Sequence, residues 1–373
     1  MNIEPSVLKQ NERAIFALRQ LYSSYGFAQY KMSKFEEYDL YVRNKEFLVS
    51  DNIITFTDKS GRLMALKPDV TLSIIKSSDK PLKDGGVYKV YYDENVYRVS
   101  GDTDAFKEIP QAGLECIGDV DDYNIYEVLV LALRSLATVS DSFVLDVSDL
   151  DIISAVTTPM GLSSAHEAEL MKCIGEKNAH GVRAVCAAAG VDAENILRLV
   201  TSYGAPAKVL PTIRDILPEA SQYLADRFEK ITSAIEAEGF EGKINIDFSV
   251  TGSVKYYNGY VFKGFVDGVA TGILSGGQYD RLMERMNRTS RAIGFALYLD
   301  LLERLAEDSA EYDVDCVLLY DDDCSIGALR DAVNMLKLGG KSVSAIKKLP
   351  EKMKYRQLLR LNERGVEILE NNA

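Results

Sequence analysis

The strongest constraint on the fold of this chain comes from two neighbouring segments that combine β-forming residues with glycine. Residues 255–264 (KYYNGYVFKG) place aromatic and β-branched side chains around one Asn-Gly pair, a composition typical of a strand that bends. Residues 272–280 (GILSGGQYD) end an apolar run with two adjacent glycines, which let a backbone approach a small ligand or another strand closely. We predict two strands that floor a pocket; a core hairpin with a glycine bulge is the alternative.

Composition limits the partners that this chain is suited to bind. Its 373 residues include 43 basic and 56 acidic side chains, which gives a formal net charge of −13. Nucleic-acid binders normally present a basic face because phosphate contacts supply most of their affinity, so we expect no nucleic-acid partner. The N-terminus shows no signal sequence and no apolar run approaches the ~18 residues of a membrane span. We therefore expect a cytoplasmic protein without a membrane partner.

The cysteines do not form a recognisable metal or disulfide pattern. The chain has five cysteines and two histidines, and it contains no Cys-x-x-Cys pair. We expect buried, unreactive thiols, no metal site and no cofactor. The cysteines are Cys116, Cys173, Cys186, Cys316 and Cys324.

Local patterns predict an α+β fold that begins with a helix and an antiparallel sheet. Apolar spacing predicts an amphipathic helix over residues 6–26, then a strand over 27–35 and a polar connection over 39–49. Residues 53–66 place two β-rich runs around Asp-Lys-Ser-Gly, which is typical of a hairpin. Residues 67–71 (KPDVT) begin a helix, with proline in its first turn and an acid near its N-terminal dipole.

The predicted sheet continues on both sides of a helical insertion, and we expect residues 1–305 to form one core domain. The insertion is identified by alanine-rich helical patterns and by the disappearance of strand signals. The predicted elements are strands over 87–100 and 109–118, a helix over 123–137, a strand over 143–153, the helical insertion over about 160–240, a strand over 243–250 and a buried helix over 292–305.

A small α/β unit is predicted after this core. Residues 306–312 contain three acids and are interpreted as a linker. The unit itself covers residues 313–373. Its predicted elements are a strand over 314–319, a helix over 326–338 ending at two glycines, a strand over 342–346 and a helix over 355–369, with a last strand left open.

The order of these motifs resembles the catalytic domain of histidyl-tRNA synthetase, a class II aminoacyl-tRNA synthetase. The resemblance covers most of residues 1–305, and the tail from about residue 313 is similar to the first part of that family's anticodon-binding domain without its final elements. The resemblance implies a class II synthetase-like antiparallel sheet flanked by helices. It rests on the segments LKPDVT, VYR, PQAGLECIG, YYNGYVFKG, SGGQYD and AIGFALYLDLLERL, in that order.

The resemblance implies that four residues contact a histidine ligand, two of them beside its amino group. Gln111 and Glu115 lie where the synthetase has its histidine-contacting glutamine and acid. Asp69 and Thr71 lie where it has a glutamate and a threonine beside the amino group. The alternative for Asp69 is a structural one, because a carboxylate at a helix N-terminus also serves as a cap.

Three further residues complete the ligand set that the resemblance implies. Tyr256 and Tyr257 match the synthetase's tyrosine pair near the imidazole, and Arg98 matches its motif 2 arginine. Core packing is an alternative for the tyrosines, which often anchor a sheet face. Pairing with an acid across the sheet is the alternative for Arg98.

The chain departs from the synthetase at positions that carry charge. Gly252 stands where the family has a catalytic arginine, and Leu301 stands where its motif 3 arginine clamps the ATP phosphate. Ser100, Ala105 and Gln278 replace a glutamate and two further arginines. Adenylation needs cationic side chains that stabilise the negative charge developing on the phosphate, and each such contact stabilises the transition state by ~3 kcal/mol. Without them we expect at most a trace of adenylation and no catalytic residue.

This pattern resembles a regulatory branch of the family, whose members assist the short-form catalytic subunit of ATP phosphoribosyltransferase in histidine biosynthesis. The resemblance implies that short-form subunit as partner, a dimer through the core, and histidine as effector, bound either in the pocket or at the interface with the partner. The usual member lacks an anticodon-binding domain, so the tail is a departure. An active histidyl-tRNA synthetase and a synthetase-like adaptor or ligase of another pathway remain alternatives.

Overall fold

The structure is a computed structural model that describes residues 10–43, 53–78, 86–99, 105–252, 256–304 and 312–372. The chain divides into two compact units, Met1–Leu305 and Ala306–Ala373, which are considered separately here. Among the helices of these described ranges, none combines the length and the apolar character that crossing a bilayer requires.

The first unit alternates strands and helices before and after a helical segment. Up to that segment its elements are α1 (Gln10–Ser24), β1 (Ala28–Gln29), β2 (Phe35–Glu37), α2 (Tyr38–Val42), β3 (Thr55–Thr57), β4 (Leu63–Leu66), α3 (Thr71–Ser77), β5 (Val87–Val99), β6 (Phe106–Gly118), α4 (Asp122–Val139), β7 (Phe143–Asp149) and α5 (Leu150–Thr157). The rest are α6 (Ser164–Gly175), α7 (Ala179–Ala189), α8 (Glu194–Thr201), β8 (Tyr203–Gly204), α9 (Pro206–Ile216), α10 (Gln222–Ile235), β9 (Ile244–Asp247), β10 (Asn258–Val266), β11 (Leu274–Gln278), α11 (Asp280–Arg285) and β12 (Arg291–Tyr298).

A nine-stranded sheet organises this unit. Its strand order is β1-β5-β6-β12-β11-β10-β7-β9-β8. The pairings β1–β5 and β7–β9 are parallel and the others are antiparallel, so the predicted antiparallel sheet is confirmed at its centre and is mixed toward its edges. The predicted strands β10 and β11 are direct neighbours, with Phe262 opposite Gly276.

Helix α4 packs on this sheet and is nearly all apolar on its buried face. A reciprocal capping box between Asp121 and Asn124 begins the helix and satisfies backbone donors that its first turn leaves unpaired. Leu136 lies over Gly264 of β10, where a Cβ atom would be 2.7 Å from Leu136 Cδ1. The predicted helices over residues 123–137 and within residues 6–26 are confirmed, although residues 6–9 lie outside the described ranges.

Two strand predictions in the first half need correction and one is confirmed. Residues 27–35 are mostly irregular, since β1 is a two-residue strand and Phe35 only begins β2, whereas the strand predicted over 87–100 is continuous to Val99. The acidic DEN triplet inside it is also paired with β6. The strand predicted over 143–153 ends at Asp149, because the Asp149 carboxylate accepts a hydrogen bond from Asp151 N (2.9 Å) and caps α5.

The predicted buried helix over residues 292–305 is wrong. Residues 291–298 form β12, a central strand between β6 and β11, and a short 3-10 helix (Leu299–Arg304) follows it. A strand that is covered on both faces shows a continuous apolar run without alternation, and this run imitates a buried helix. The close contact at Gly294 agrees with a strand here, because the Gly294 backbone lies directly against the Glu115 side chain of the neighbouring strand β6.

The helical insertion is confirmed, with one addition. Helices α6 to α10 occupy the predicted range, and the only strand among its described residues is β8, which pairs antiparallel with β9. The predicted hairpin over residues 53–66 is also confirmed as β3 and β4, which form a separate three-stranded sheet with β2. The predicted polar connection over 39–49 contains α2 and otherwise lies largely outside the described residues.

The second unit contains one helix and a four-stranded sheet. Its elements are β13 (Val314–Leu319), α12 (Ile326–Leu338), β14 (Val343–Ile346), β15 (Tyr355–Asn362) and β16 (Gly365–Asn371), with sheet order β14-β13-β15-β16. The helix predicted over 355–369 is wrong, since β15 and β16 form a hairpin. Gly365 has φ +116° and Asn362 Oδ1 accepts from Arg364 N (2.9 Å), so the turn requires its glycine and asparagine. The predicted linker falls outside the described residues except for Tyr312.

A buried ion pair fixes the segment that leads into α3. The Lys67 side chain is fully buried, and its Nζ lies 3.0 Å from Glu94 Oε2 on β5. The Lys67 backbone also donates to Lys34 O (3.0 Å) and accepts from Tyr97 N (2.9 Å). Burial lowers the pKa of the Lys67 ammonium and the bond to Glu94 opposes this shift, so the lysine depends on its partner to stay charged.

We expect Glu94→Gln to lower the free energy of unfolding by about 3 kcal/mol, because it leaves the buried Lys67 charge uncompensated. The exposed Lys172–Glu169 pair of α6 (3.9 Å) supplies the control, and Glu169→Gln should cost less than ~1 kcal/mol. Urea denaturation of the two variants measures both values. Equal losses in the two variants would contradict the importance of the buried pair.

Candidate functional site

One cavity of about 840 Å³ opens over the centre of the large sheet. All seven residues of the predicted ligand set line it, although they come from α3, β5, β6 and the segment before β10. The lining includes Asp69, Thr71, Arg98, Gln111, Glu115, Tyr256 and Tyr257.

The Glu115 carboxyl group forms the buried centre of this site. Its Oε1 accepts a hydrogen bond from Thr71 Oγ1 (2.7 Å), and its Oε2 accepts one from Tyr279 OH (2.5 Å). Burial raises the pKa of Glu115 to about 8, against the two hydrogen bonds that favour the charged form. Gly294 makes this position possible, because a Cβ there would lie 1.8 Å from Glu115 Oε2.

Asp69 and Arg98 lie at the entry of α3. Asp69 Oδ1 accepts from Leu72 N (2.9 Å), so this carboxylate does cap the first turn, and burial raises its pKa. Arg98 Nε donates to Pro68 O (3.1 Å), and no carboxylate of the described residues lies within ion-pair distance of its guanidinium. The positive charge of Arg98 counteracts part of the pKa shift of Asp69. Each side chain therefore makes a structural hydrogen bond and still has polar atoms that a ligand in the cavity can bind.

The tyrosines form an aromatic wall. The ring centroids of Tyr256 and Tyr257 are 4.6 Å apart, and those of Tyr256 and Tyr279 are 5.7 Å apart. Burial raises the pKa of all three phenols, which therefore stay protonated and can donate hydrogen bonds. Tyr279 was not in the predicted set, although it lies in the segment GGQYD; its role comes from the contact with Glu115, which no local pattern announces.

Gln111 supplies an amide on the same face of β6 as Glu115. It is 4% exposed, and its Cα neighbour across the sheet is Tyr298 of β12. Tyr298 and Ser275 also line the cavity and lie 3.3 Å apart through their hydroxyl oxygens. These two hydroxyls were not predicted, because only the strand register brings them beside Gln111.

At the positions that match cationic side chains of the synthetase, this chain has no cationic side chain. Gly252 has φ +56°, and a Cβ on it would lie 2.6 Å from Tyr257 Cδ2. Gln278 is buried and its Oε1 accepts from Tyr260 N (3.1 Å). Leu301 packs against the main core, Ala105 is exposed before β6, and Ser100 lies outside the described residues. Within the described ranges, no cluster of histidine, cysteine or acidic residues is arranged to hold a metal ion.

Comparison with known proteins identifies the family. The histidyl-tRNA synthetase family model matches residues 1–302. The chain belongs to this family. Its relatives include proteins named ATP phosphoribosyltransferase regulatory subunit from Alkaliphilus metalliredigens (27% identical, 75% of this chain and 72% of the relative) and Clostridium acetobutylicum (26% identical, 94% and 89%). The resemblance to the regulatory branch is thereby confirmed.

Solved structures agree on the fold. An ATP phosphoribosyltransferase regulatory subunit/histidyl-tRNA synthetase from Bacillus halodurans matches with TM-score 0.75 at 21% identity, over 92% of this chain and 90% of that one. A chain of the ATP phosphoribosyl transferase (HisG:HisZ) complex from Thermotoga maritima matches with TM-score 0.62 at 16% identity, over 78% and 97%. The predicted class II synthetase-like fold is confirmed.

The raised pKa of Glu115 predicts that stability falls as pH rises. Between pH 4.5 and about 8 the folded chain keeps a proton on Glu115 that the unfolded chain has lost, so unfolding becomes easier by at most about 1.4 kcal/mol per pH unit. Urea denaturation across this range should show a shallower slope for Glu115→Gln than for wild type. The exposed Glu284→Gln should keep the wild-type slope. A Glu115→Gln slope equal to wild type would mean that Glu115 is charged in the folded chain.

Proposed function

We propose that this chain is a regulatory subunit of ATP phosphoribosyltransferase that binds histidine without activating it. The observation that carries the proposal is the contrast within one cavity. The buried polar groups around Glu115 are present and hydrogen-bonded, whereas Gly252 stands where the family's catalytic arginine would be and has no room for a side chain beside Tyr257. The names of the relatives support the same role.

Histidine recognition rests on complementary charges and hydrogen bonds. The Asp69 and Glu115 carboxyl groups bind the ammonium group of the ligand, and the Gln111 amide hydrogen-bonds either end of the ligand. Tyr256 and Tyr257 flank the imidazole ring, with phenol groups as donors to a ring nitrogen. Arg98 and Thr71 hold this arrangement at the entry of α3, through Pro68 O and Glu115 respectively.

The partner in this proposal is the short-form catalytic subunit, which itself binds ATP and phosphoribosyl pyrophosphate. This chain associates with that subunit and with a second copy of itself through the first unit. Histidine then inhibits because it binds one state of the complex more tightly than the other, and a coupling of about 1–3 kcal/mol is sufficient. The chain contributes no catalytic residue to the transfer.

Mixing the chain with a short-form catalytic subunit should create phosphoribosyltransferase activity that neither protein has alone, and histidine should suppress it. Glu115→Gln should retain the activation and lose most of the suppression, while Glu284→Gln retains both. A mixture without activity gain would contradict the regulatory role. Histidine-dependent ATP–pyrophosphate exchange by the chain alone would instead identify it as a synthetase.

Direct titration should locate the effector in this cavity. Glu115→Gln removes one charge-assisted contact and should weaken histidine binding about ten- to a hundredfold. Below pH 8 the ammonium must displace the Glu115 proton, so calorimetry in buffers of different ionisation enthalpy should show proton release that this variant lacks. Unchanged affinity in Glu115→Gln would place the effector elsewhere, for example at the interface with the partner.

A further inference from the structure

The cavity extends well beyond the Glu115 end. Three strand spacings separate β6, which carries Glu115, from β10, which carries Lys263, so these backbones are about 14 Å apart. Both residues line the same cavity, which continues to Asp146 of β7 and to Asp247 of β9. We call this part of the cavity, around Lys263, Asp146 and Asp247, the insertion-side compartment.

Strand register makes the floor of the insertion-side compartment polar. Lys263 of β10 is the Cα partner of Ser275 on one side and of Asp146 on the other, and Asp146 is in turn the partner of Asn245. Partners in register point to the same face of a sheet, so these side chains form one polar row. At the Glu115 end, the corresponding row contains glycines.

The Lys263 ammonium is an uncompensated charge in this compartment. No carboxylate of the described residues lies within 4 Å of its Nζ, and the Nζ is 5.5 Å from the Phe265 ring centroid. The side chain is exposed, and its methylene stem lies over Gly272, where a Cβ atom would be 2.4 Å from Lys263 Cε. Gly272 thus provides the space in which the lysine stem lies.

The other charged groups of the compartment are already engaged. Lys177 Nζ lies 2.8 Å from Asp247 Oδ2, and this bond raises the pKa of Lys177. Asp146 accepts a hydrogen bond from Asn245 Nδ2 (3.2 Å), and burial raises the pKa of this carboxyl group. The group that remains for a ligand is therefore the Lys263 ammonium.

Several hydroxyl groups line the cavity together with this charge. The cavity lining includes Ser249, Thr251 and Ser275, and Thr251 is 7% exposed. Thr251 Oγ1 lies close to Gly175 of α6, where a Cβ would be 3.0 Å from it, so the helical insertion borders the compartment. A cation among hydroxyl donors is complementary to a group with several anionic oxygens.

We propose that the insertion-side compartment is a second ligand subsite, which binds a phosphate or carboxylate group of a small molecule with Lys263 as its charge partner. The charge partner of this subsite, Lys263, is three strands away from Glu115, so the subsite does not require Glu115.

Inorganic phosphate and acetate are the probes that test the subsite in the full chain. Phosphorus-NMR and methyl proton line widths, measured at constant ionic strength, report binding of the two anions. Lys263→Gln should weaken binding at least about tenfold, since it removes a charge-assisted contact. The exposed Lys230→Gln on α10 leaves the cavity intact and should bind as wild type does. Saturable binding of one anion alone identifies the chemical class.

A second variant separates the loss of the subsite from misfolding of Lys263→Gln. Gly272→Ala keeps the Lys263 charge and displaces only its stem, so it should weaken anion binding while histidine affinity at the Glu115 end stays at the wild-type value. The subsite is refuted by anion binding that is equal in wild type and Lys263→Gln, or by the absence of saturable binding of both anions in wild type.

Discussion

The buried carboxyl group of Glu115 is the interaction on which the site depends. A carboxyl group at the centre of a sheet needs backbone without side chains across from it, and Gly294 meets this need because any Cβ there would overlap Glu115 Oε2. Gly277 stands next to Gly294 in register and continues the open floor. Two residues after Gly277, Tyr279 supplies a hydroxyl donor to Glu115. The neighbouring strands β12 and β11 therefore provide the space and, directly after β11, a hydrogen bond.

The proposed recognition of histidine and the activation chemistry of the family rest on different parts of this sheet, so the first does not require the second. The groups proposed for recognition include buried side chains that are fixed by hydrogen bonds, such as Thr71 on Glu115. Activation in the family depends on long cations, and the positions that resemble them hold Gly252, Leu301 and Gln278. Gln278 contributes instead to folding, because it accepts the backbone hydrogen of Tyr260. The hydrogen bonds at the centre of the site therefore do not depend on the cationic side chains that this chain lacks.

Much of the fold follows from local sequence signals, and the failures have a common cause. The β3–β4 hairpin and the helical insertion were predicted because turn residues and helical spacing act locally. Strand β12 was missed because both of its faces are buried, and the β15–β16 hairpin because its leucines imitate helical spacing. The seven ligand-set residues came from motifs, whereas Tyr279, Lys263 and Asp146 have roles set by register between distant segments.

Register also explains why the two ends of the cavity differ chemically. The pairing of β10 with β11 shifts between Asn258 and Val261, at the Asn-Gly pair whose glycine has φ +58°. After this bulge, Val261 pairs with Gly277 and the next row in the same direction pairs Lys263 with Ser275. Because side chains alternate with a period of two, a shift of one residue would turn Lys263 away from the cavity and an apolar neighbour toward it. The bulge therefore determines both the open glycine floor beside Glu115 and the polar row beyond it.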